Sequence, residues 1–305
     1  TLIQKTFSRL SKLIPVENIL ILTNERYNDL VLEQLPMVKQ EQVLLEPVMR
    51  NTAPCILYAA LKIQKENSDA IMIVAPSDHW IEDEDTFVNN VQEAFDFCAD
   101  NDALMTLGIK PTFPNNGYGY IEFAKDNSIQ KGEATHVIQF CEKPDLKTAE
   151  KFANSKQFFW NSGIFCFNVG QFFDELSIHA PEVLEKTVKS WDICSKNLSK
   201  DHSKIEIPLL PFKECPSISI DYALMEKSKN VVVVPLDANW SDIGSWLSFS
   251  QIYKPDHEGN SVLGNGLVIK SKNTFIQASD RVVAAVGLDN IIIIDTPDAL
   301  LVIDK

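Results

Sequence analysis

The stretch Ile71-Met72-Ile73-Val74-Ala75-Pro76-Ser77-Asp78-His79-Trp80 constrains the fold of this 305-residue chain more than any other. Five consecutive apolar residues, Ile71 to Ala75, read as a strand buried on both faces, the kind found inside a parallel sheet. The run stops at Pro76 and then presents Ser77, Asp78 and His79. In open α/β sheets ligands gather at the carboxyl ends of the strands, so this polar cluster is placed for chemistry. An aspartate there is also an ordinary turn former or helix cap. A second cluster of the same kind far along the chain, Trp240-Ser241-Asp242-Ile243-Gly244-Ser245-Trp246, shifts the reading towards a site.

A chain of this length with 45% hydrophobic residues can bury a large core, as one α/β domain or one domain plus an appendage. The net charge of −14 argues against non-specific nucleic-acid binding and against an anionic membrane surface. An anionic substrate would need local Lys, Arg or metal. Cys55, Cys98, Cys141, Cys166, Cys194 and Cys215 stand singly, with no C-x-x-C spacing, and read as free thiols of a reducing compartment. No leader and no apolar run of membrane-spanning length is visible, so a soluble, cytoplasmic protein is expected.

Along the chain, helical patterns are expected at 1–13, 28–35, 53–65, 179–194 and 220–227. Strands are expected at 18–23, 42–45, 103–107, 231–234 and, after a polar tip and Gly163, at the end of 160–167. Thr52 is the expected N-cap of the helix with Pro54 in its first turn, Asp145 caps a helix after Phe140-Cys141-Glu142-Lys143-Pro144, and Ser219 caps the 220–227 helix. Glu82 to Asp85 places acid ahead of a helix carrying Phe87, Val91, Phe95 and Cys98. Residues 199–213 read as loop. Gly117-Tyr118-Gly119 forms a turn that permits close backbone approach to a ligand, though hairpins share the pattern. Beyond Pro255 short apolar runs alternate with Gly, Asn and Asp turns, predicting a small all-β, β-helix-like appendage at 256–305 behind a main domain at 1–255.

Asp78 and Asp242 each close a strand. Magnesium is commonly held by one or two carboxylates together with substrate phosphates, which suits two single aspartates. His79 reads as a structural histidine rather than a ligand. The chemistry implied is phosphoryl or nucleotidyl transfer, in which positioning and charge neutralisation supply most of the rate.

Seven ordered motifs then carry a specific resemblance. They are Glu46-Pro-x-x-Arg50-Asn51-Thr52-Ala53-Pro54, Pro76-Ser77-Asp78-His79, Gly117-Tyr118-Gly119-Tyr120, Glu142-Lys143-Pro144, Asn161-Ser162-Gly163, Ser219-Ile-Asp-Tyr-Ala-Leu-Met-Glu226 and Trp240-Ser-Asp-Ile-Gly-Ser-Trp246. Together they resemble the mannose-1-phosphate guanylyltransferase family across nearly the whole chain. The resemblance implies a Rossmann-like nucleotidyltransferase mixed sheet flanked by helices, and transfer of GMP from GTP to mannose 1-phosphate with Mg2+, giving GDP-mannose and pyrophosphate. It also implies Asp78 and Asp242 at the metal, Glu142 and Asn161 on mannose hydroxyls, Lys143 on the sugar phosphate, Gly119 near the sugar through its backbone, and Ser77 at the substrate. The Glu46, Arg50, Asn51 and Thr52 loop would recognise guanine, whose Watson–Crick edge presents two donors that a carboxylate or carbonyl can accept.

The family opens with a strand and a glycine-rich phosphate loop that these residues do not include, and trimming is the expected reason. Asn116 stands where the family has Thr. Another sugar 1-phosphate, another base, or a non-catalytic sugar-nucleotide-binding regulator are the competing readings. A generic metal-dependent glycosyltransferase is weakened because Asp78 is not in an Asp-x-Asp motif. A homodimer through the β tail is compatible with the sequence.

Overall fold

The computed structural model describes residues 1–124, 134–198 and 205–305. Chain contacts divide them into two compact units, Thr1–Ser77 with Ile81–Asn239, and Asp78–Trp80 with Trp240–Lys305.

The first unit is built on a six-stranded mixed sheet. Its order is Ile71–Val74, Phe158–Asn168, Leu104–Ile109, Val231–Pro235, Thr135–Cys141 and Tyr120–Phe123. The apolar runs 104–109 and 231–235 are buried throughout, apart from half-buried Pro235, and pair in parallel. The eleven-residue strand Phe158–Asn168 runs antiparallel to Ile71–Val74, to Leu104–Ile109 and, with its first residues, to Tyr120–Phe123. Since Tyr120–Phe123 also pairs with Thr135–Cys141, five strands return on themselves. A smaller parallel sheet joins Ile21–Asn24, Val43–Glu46 and Ile205–Glu206. The helix Thr52–Glu66 buries Ala53 to Leu61 except Cys55, and Tyr58 meets Trp191 and Phe212 edge-on at 5.4 and 5.8 Å. Each such aromatic side chain contributes about 2–3 kcal/mol on burial.

Several expectations are corrected. The 71–75 strand is antiparallel to its neighbour, and of Ile71–Val74 only Met72 is fully buried. An unbroken apolar run reports burial tendency and says nothing of a partner's direction. The 18–23 strand lies at Ile21–Asn24, half-buried throughout, behind a 3-10 turn at Val16–Asn18. The 179–194 helix is present as Pro181–Leu198, with Pro181 at its first position, and a further, unexpected helix, Val169–His179, precedes it. The polar tip at 160–162 is already strand. Asn51, not Thr52, caps the Thr52–Glu66 helix, its Oδ1 accepting the Thr52 N–H at 2.9 Å. The 220–227 helix is a five-residue π-turn, Asp221–Met225. The 199–213 loop contains the strand Ile205–Glu206 and the helix Leu209–Lys213; residues 199–204 lie outside the described residues.

Asp145 caps its helix as expected, accepting the Thr148 N–H at 2.8 Å; within the acidic run ahead of the next helix upstream it is Asp83 that caps, accepting the Thr86 N–H at 3.0 Å.

In the second unit, Ser261–Ile269, Phe275–Val286 and Ile291–Asp295 stack in parallel, and Leu300–Asp304 closes the sheet antiparallel. Ile276, Ala278, Ala285 and Ile293 fill one side; Phe275, Ile292 and Ile294 pack with Phe249 and Tyr253 on the other. Gly264 has φ +82°, and a Cβ there would overlap the Ala278 carbonyl where the register shifts. The appendage is all-β, as expected. Among the described residues no helix is long and apolar enough to cross a membrane.

Candidate active site

Strand register brings the first cluster together. Tyr120 pairs with Cys141 on one side and Trp160 on the other, so Gly119 falls between Glu142 and Asn161. The Asn161 N–H donates to the Gly119 carbonyl at 2.8 Å. A Cβ on Gly119 would overlap Glu142 Oε2 and stand 3.2 Å from Asn161 Cβ. Glycine keeps that space open.

Glu142 Oε2 is buried and has no hydrogen-bond partner. Its other oxygen, Oε1, lies 3.5 Å from Lys143 Nζ. Burial, reinforced by the neighbouring Asp221 carboxylate, pushes the Glu142 carboxyl up to about 7 against the pull of Lys143. Lys143 itself has φ +47° immediately before Pro144, and its side chain is largely exposed. Asn161 Nδ2 donates to Asp221 Oδ1 at 2.8 Å, and its Oδ1 accepts the Gly163 N–H at 3.0 Å. Burial raises Asp221 too. Glu226 Oε1 accepts the backbone N–H of Glu142 at 2.8 Å.

The loop after Val43–Glu46 forms a second cluster. Glu46, 9% exposed, has an unpartnered Oε1, and burial pushes its carboxyl up to about 7 despite a hydrogen bond from the Cys55 thiol. Arg50 Nη2 donates to the Lys213 carbonyl, while its buried Nε lacks a partner. Asn51 is held at φ +64° by its cap. Thr52 Oγ1 accepts the Ile220 N–H at 2.9 Å, and Ala53 N–H donates to the Ile218 carbonyl at 3.1 Å. The loop is thus tied to the segment that continues into Asp221, so the two clusters share one support.

Ser77 is exposed, and its carbonyl accepts from Thr6 Oγ1 at 3.4 Å. Asp78 and Asp242 both belong to the second unit. Asp78 is exposed and Asp242 half-buried; Asp242 Oδ1 accepts the Gly244 N–H at 3.1 Å in a turn with Ile243 at φ +50°. His79 Nδ1 accepts the Trp240 indole N–H at 3.1 Å, with the rings edge-on at 5.2 Å, a structural role for that nitrogen. The six cysteines are free thiols.

Asp221 and Glu226 are the participants the sequence reading did not single out. They stood inside the Ser219–Glu226 motif, where helical spacing gave no reason to pair them.

Two sheets with helices around them and a cradle of buried carboxylates make the first unit an α/β fold, and the second unit is largely β. The nucleotidyl transferase family model matches residues 1–259, and a MannoseP isomerase/GMP-like β-helix domain matches residues 264–305. The chain belongs to the nucleotidyl transferase family. It is 38% identical over 309 residues to a mannose-1-phosphate guanylyltransferase of Escherichia coli, covering 99% of this chain and 65% of that protein. The chain thus spans just under two thirds of the length of that curated relative. Among solved structures, the one described as mannose-1-phosphate geranyltransferase from Thermus thermophilus superposes with a TM-score of 0.84 at 25% identity, covering 100% of this chain and 85% of that one. A mannose-6-phosphate isomerase from Helicobacter pylori superposes with a TM-score of 0.67 at 32% identity, over 79% of this chain and 90% of that one.

Proposed function

We propose that this chain transfers GMP from GTP to mannose 1-phosphate, giving GDP-mannose and pyrophosphate. A phosphate oxygen of the sugar phosphate attacks the α-phosphorus; the bond from that phosphorus to the bridging oxygen breaks, and pyrophosphate leaves. The observation that carries this reading is the unpartnered, buried Glu142 Oε2 beside Gly119. A buried acceptor without a donor costs about 1–3 kcal/mol, which a hydroxyl of a bound hexose would relieve. Asn161 offers an N–H to a second hydroxyl. Lys143 stands at the rim as the cation for the sugar phosphate, which matters in a chain of net charge −14. Glu46, with its free oxygen at a strand's carboxyl end, is the acceptor for the guanine donors, and Arg50, Asn51 and Thr52 shape that loop. Ser77, exposed and next to Asp78 in sequence, would contact the substrate.

Asp78 and Asp242, hard oxygen donors within one unit, are the residues that would hold Mg2+, while the indole of Trp240 occupies His79 Nδ1. Bound there, Mg2+ would neutralise phosphate charge. Free thiols throughout suit a reducing, cytoplasmic setting.

The test is pyrophosphate release from GTP, mannose 1-phosphate and Mg2+. It is run on these 305 residues and on the same chain extended by the phosphate-loop segment that the resemblance implies. Turnover in either supports the proposal. Absence of turnover in both, with GDP-mannose still bound, overturns it in favour of a non-catalytic sugar-nucleotide binder.

A further inference from the structure

The π-turn Asp221–Met225 lies behind the cradle, and its two flanking carboxylates reach different walls. Asp221 Oδ1 takes the Asn161 Nδ2–H at 2.8 Å, on the Phe158–Asn168 strand. Glu226 Oε1 takes the Glu142 N–H at 2.8 Å, just past the Thr135–Cys141 strand. The turn itself is closed by the Glu226 N–H donating to the Asp221 carbonyl at 2.9 Å, an i→i+5 bond. In an α-helix residues five apart point about 140° away from each other. An i→i+5 turn brings them towards one side. The spacing of Asp221 and Glu226 therefore serves both walls only because the turn is π.

We propose that Asp221 and Glu226 are positioning residues that set the geometry of the hexose cradle, and with it the affinity and selectivity for the sugar. This inference rests on the function proposed above. Asp221 fixes the amide of Asn161. Its Oδ1 is spent on the Gly163 N–H and one Nδ2–H on Asp221, so a ligand meets Asn161 as a single N–H donor. Without Asp221 the Nδ2 end loses its acceptor and the amide is anchored only through Oδ1, by the Gly163 N–H at 3.0 Å and the Thr106 hydroxyl at 3.4 Å, so the N–H offered to the sugar is less firmly aimed. Glu226 fixes the backbone at Glu142, just ahead of the left-handed Lys143 and Pro144, and so aims both the Glu142 carboxyl and the Lys143 ammonium. The turn is pinned in its turn by Thr52, whose hydroxyl holds the Ile220 N–H. Neither carboxylate needs to touch the sugar.

Calorimetric binding of GDP-mannose and of GDP to the same chain tests the inference, alongside KM values for mannose 1-phosphate and GTP. Glu226→Ala and Asp221→Ala are expected to weaken GDP-mannose binding and raise the mannose 1-phosphate KM by about tenfold each, the loss of one positioning hydrogen bond. GDP binding and the GTP KM should move less than twofold. Glu226→Gln and Asp221→Asn keep an oxygen acceptor and should restore most of the loss. Wild-type protein that does not prefer GDP-mannose over GDP would sink the proposed function itself. Wild-type preference retained in both alanine variants would overturn the positioning role alone. If an alanine variant does not fold, a Gln or Asn variant that folds yet loses sugar selectivity as fully as the sugar-site substitution Glu142→Gln also overturns it.

Discussion

Gly119 and Glu142 face each other across paired strands, and a single methyl group on Gly119 would occupy the space beside the unpartnered Glu142 Oε2. That relationship gives the first prediction. Gly119→Ala should raise the KM for mannose 1-phosphate by about tenfold or more while leaving that for GTP within about twofold, because the Cβ displaces the ligand hydroxyl and leaves the buried oxygen unrelieved. Steady-state kinetics with each substrate varied in turn decide it. An unchanged sugar-phosphate KM would remove Gly119 from the site.

Much of this cradle is readable from residue types. The glycine turn, the Glu142-Lys143 pair after a strand, the Asn161 cluster and the Asp145 cap all stand where local chemistry places them. The register that sets Gly119 between Glu142 and Asn161 is not readable, because Phe158–Asn168 makes antiparallel pairs with three strands distant in sequence. Nor is the π-turn. Its Asp-Tyr-Ala-Leu-Met composition is that of an ordinary helix, and the extra residue is selected by tertiary partners at Asn161 and Glu142. The edge at Ile71–Val74 escaped for a related reason: its apolar run gives neither the direction of the partner strand nor its place at the sheet's margin, where only Met72 is buried.

Glu46 sets a pH dependence of stability. Burial raises its carboxyl from 4.5 to about 7, so the folded state holds the proton more tightly than the unfolded chain. Its stabilising contribution is complete below pH 4.5 and is lost as pH rises to about 7, a loss of roughly 3 kcal/mol. Glu46→Gln should therefore match wild type near pH 4.5 and be more stable at about pH 8 by an amount of that order. Urea unfolding at the two pH values measures the difference. A variant equally displaced at both would show that the buried charge is not the cause. The same substitution should weaken GTP use, since Gln brings an amide donor to the donor edge of guanine.

Lys143 is argued to meet the sugar phosphate from the cradle's rim. Lys143→Ala should impair use of mannose 1-phosphate by about a hundredfold in kcat/KM, the scale of one charge-assisted contact of about 2–3 kcal/mol, with GTP binding little changed. Equal loss for both substrates, read by kinetics and by GTP binding, would move Lys143 out of that role.

Asp242 is partly exposed and turned by its own Gly244 N–H contact, so its loss should not threaten the fold. Asp242→Asn is expected to lower turnover by orders of magnitude and to weaken the Mg2+ dependence of GDP-mannose binding, with the thermal midpoint unchanged. Calorimetry with and without Mg2+ supplies the second readout. Near-normal turnover would sink the assignment.

The β appendage depends on one buried amide. Asn260, 4% exposed, donates through Nδ2 to the Ser271 carbonyl at 2.9 Å and accepts the Thr274 N–H at 3.0 Å, both partners being fully buried. Truncation strands a buried donor and a buried acceptor together, at about 1–3 kcal/mol each. Asn260→Ala should therefore destabilise this unit by about 3 kcal/mol and speed amide exchange in Phe275–Val286 by about a hundredfold. The parallel strands leave Ser271 and Thr274 at the bend between Ser261–Ile269 and Phe275–Val286, where no ladder bond can replace the lost amide. Exchange at the wild-type rate would show that water enters the bend and satisfies both groups, and that the turn is held by its apolar core instead.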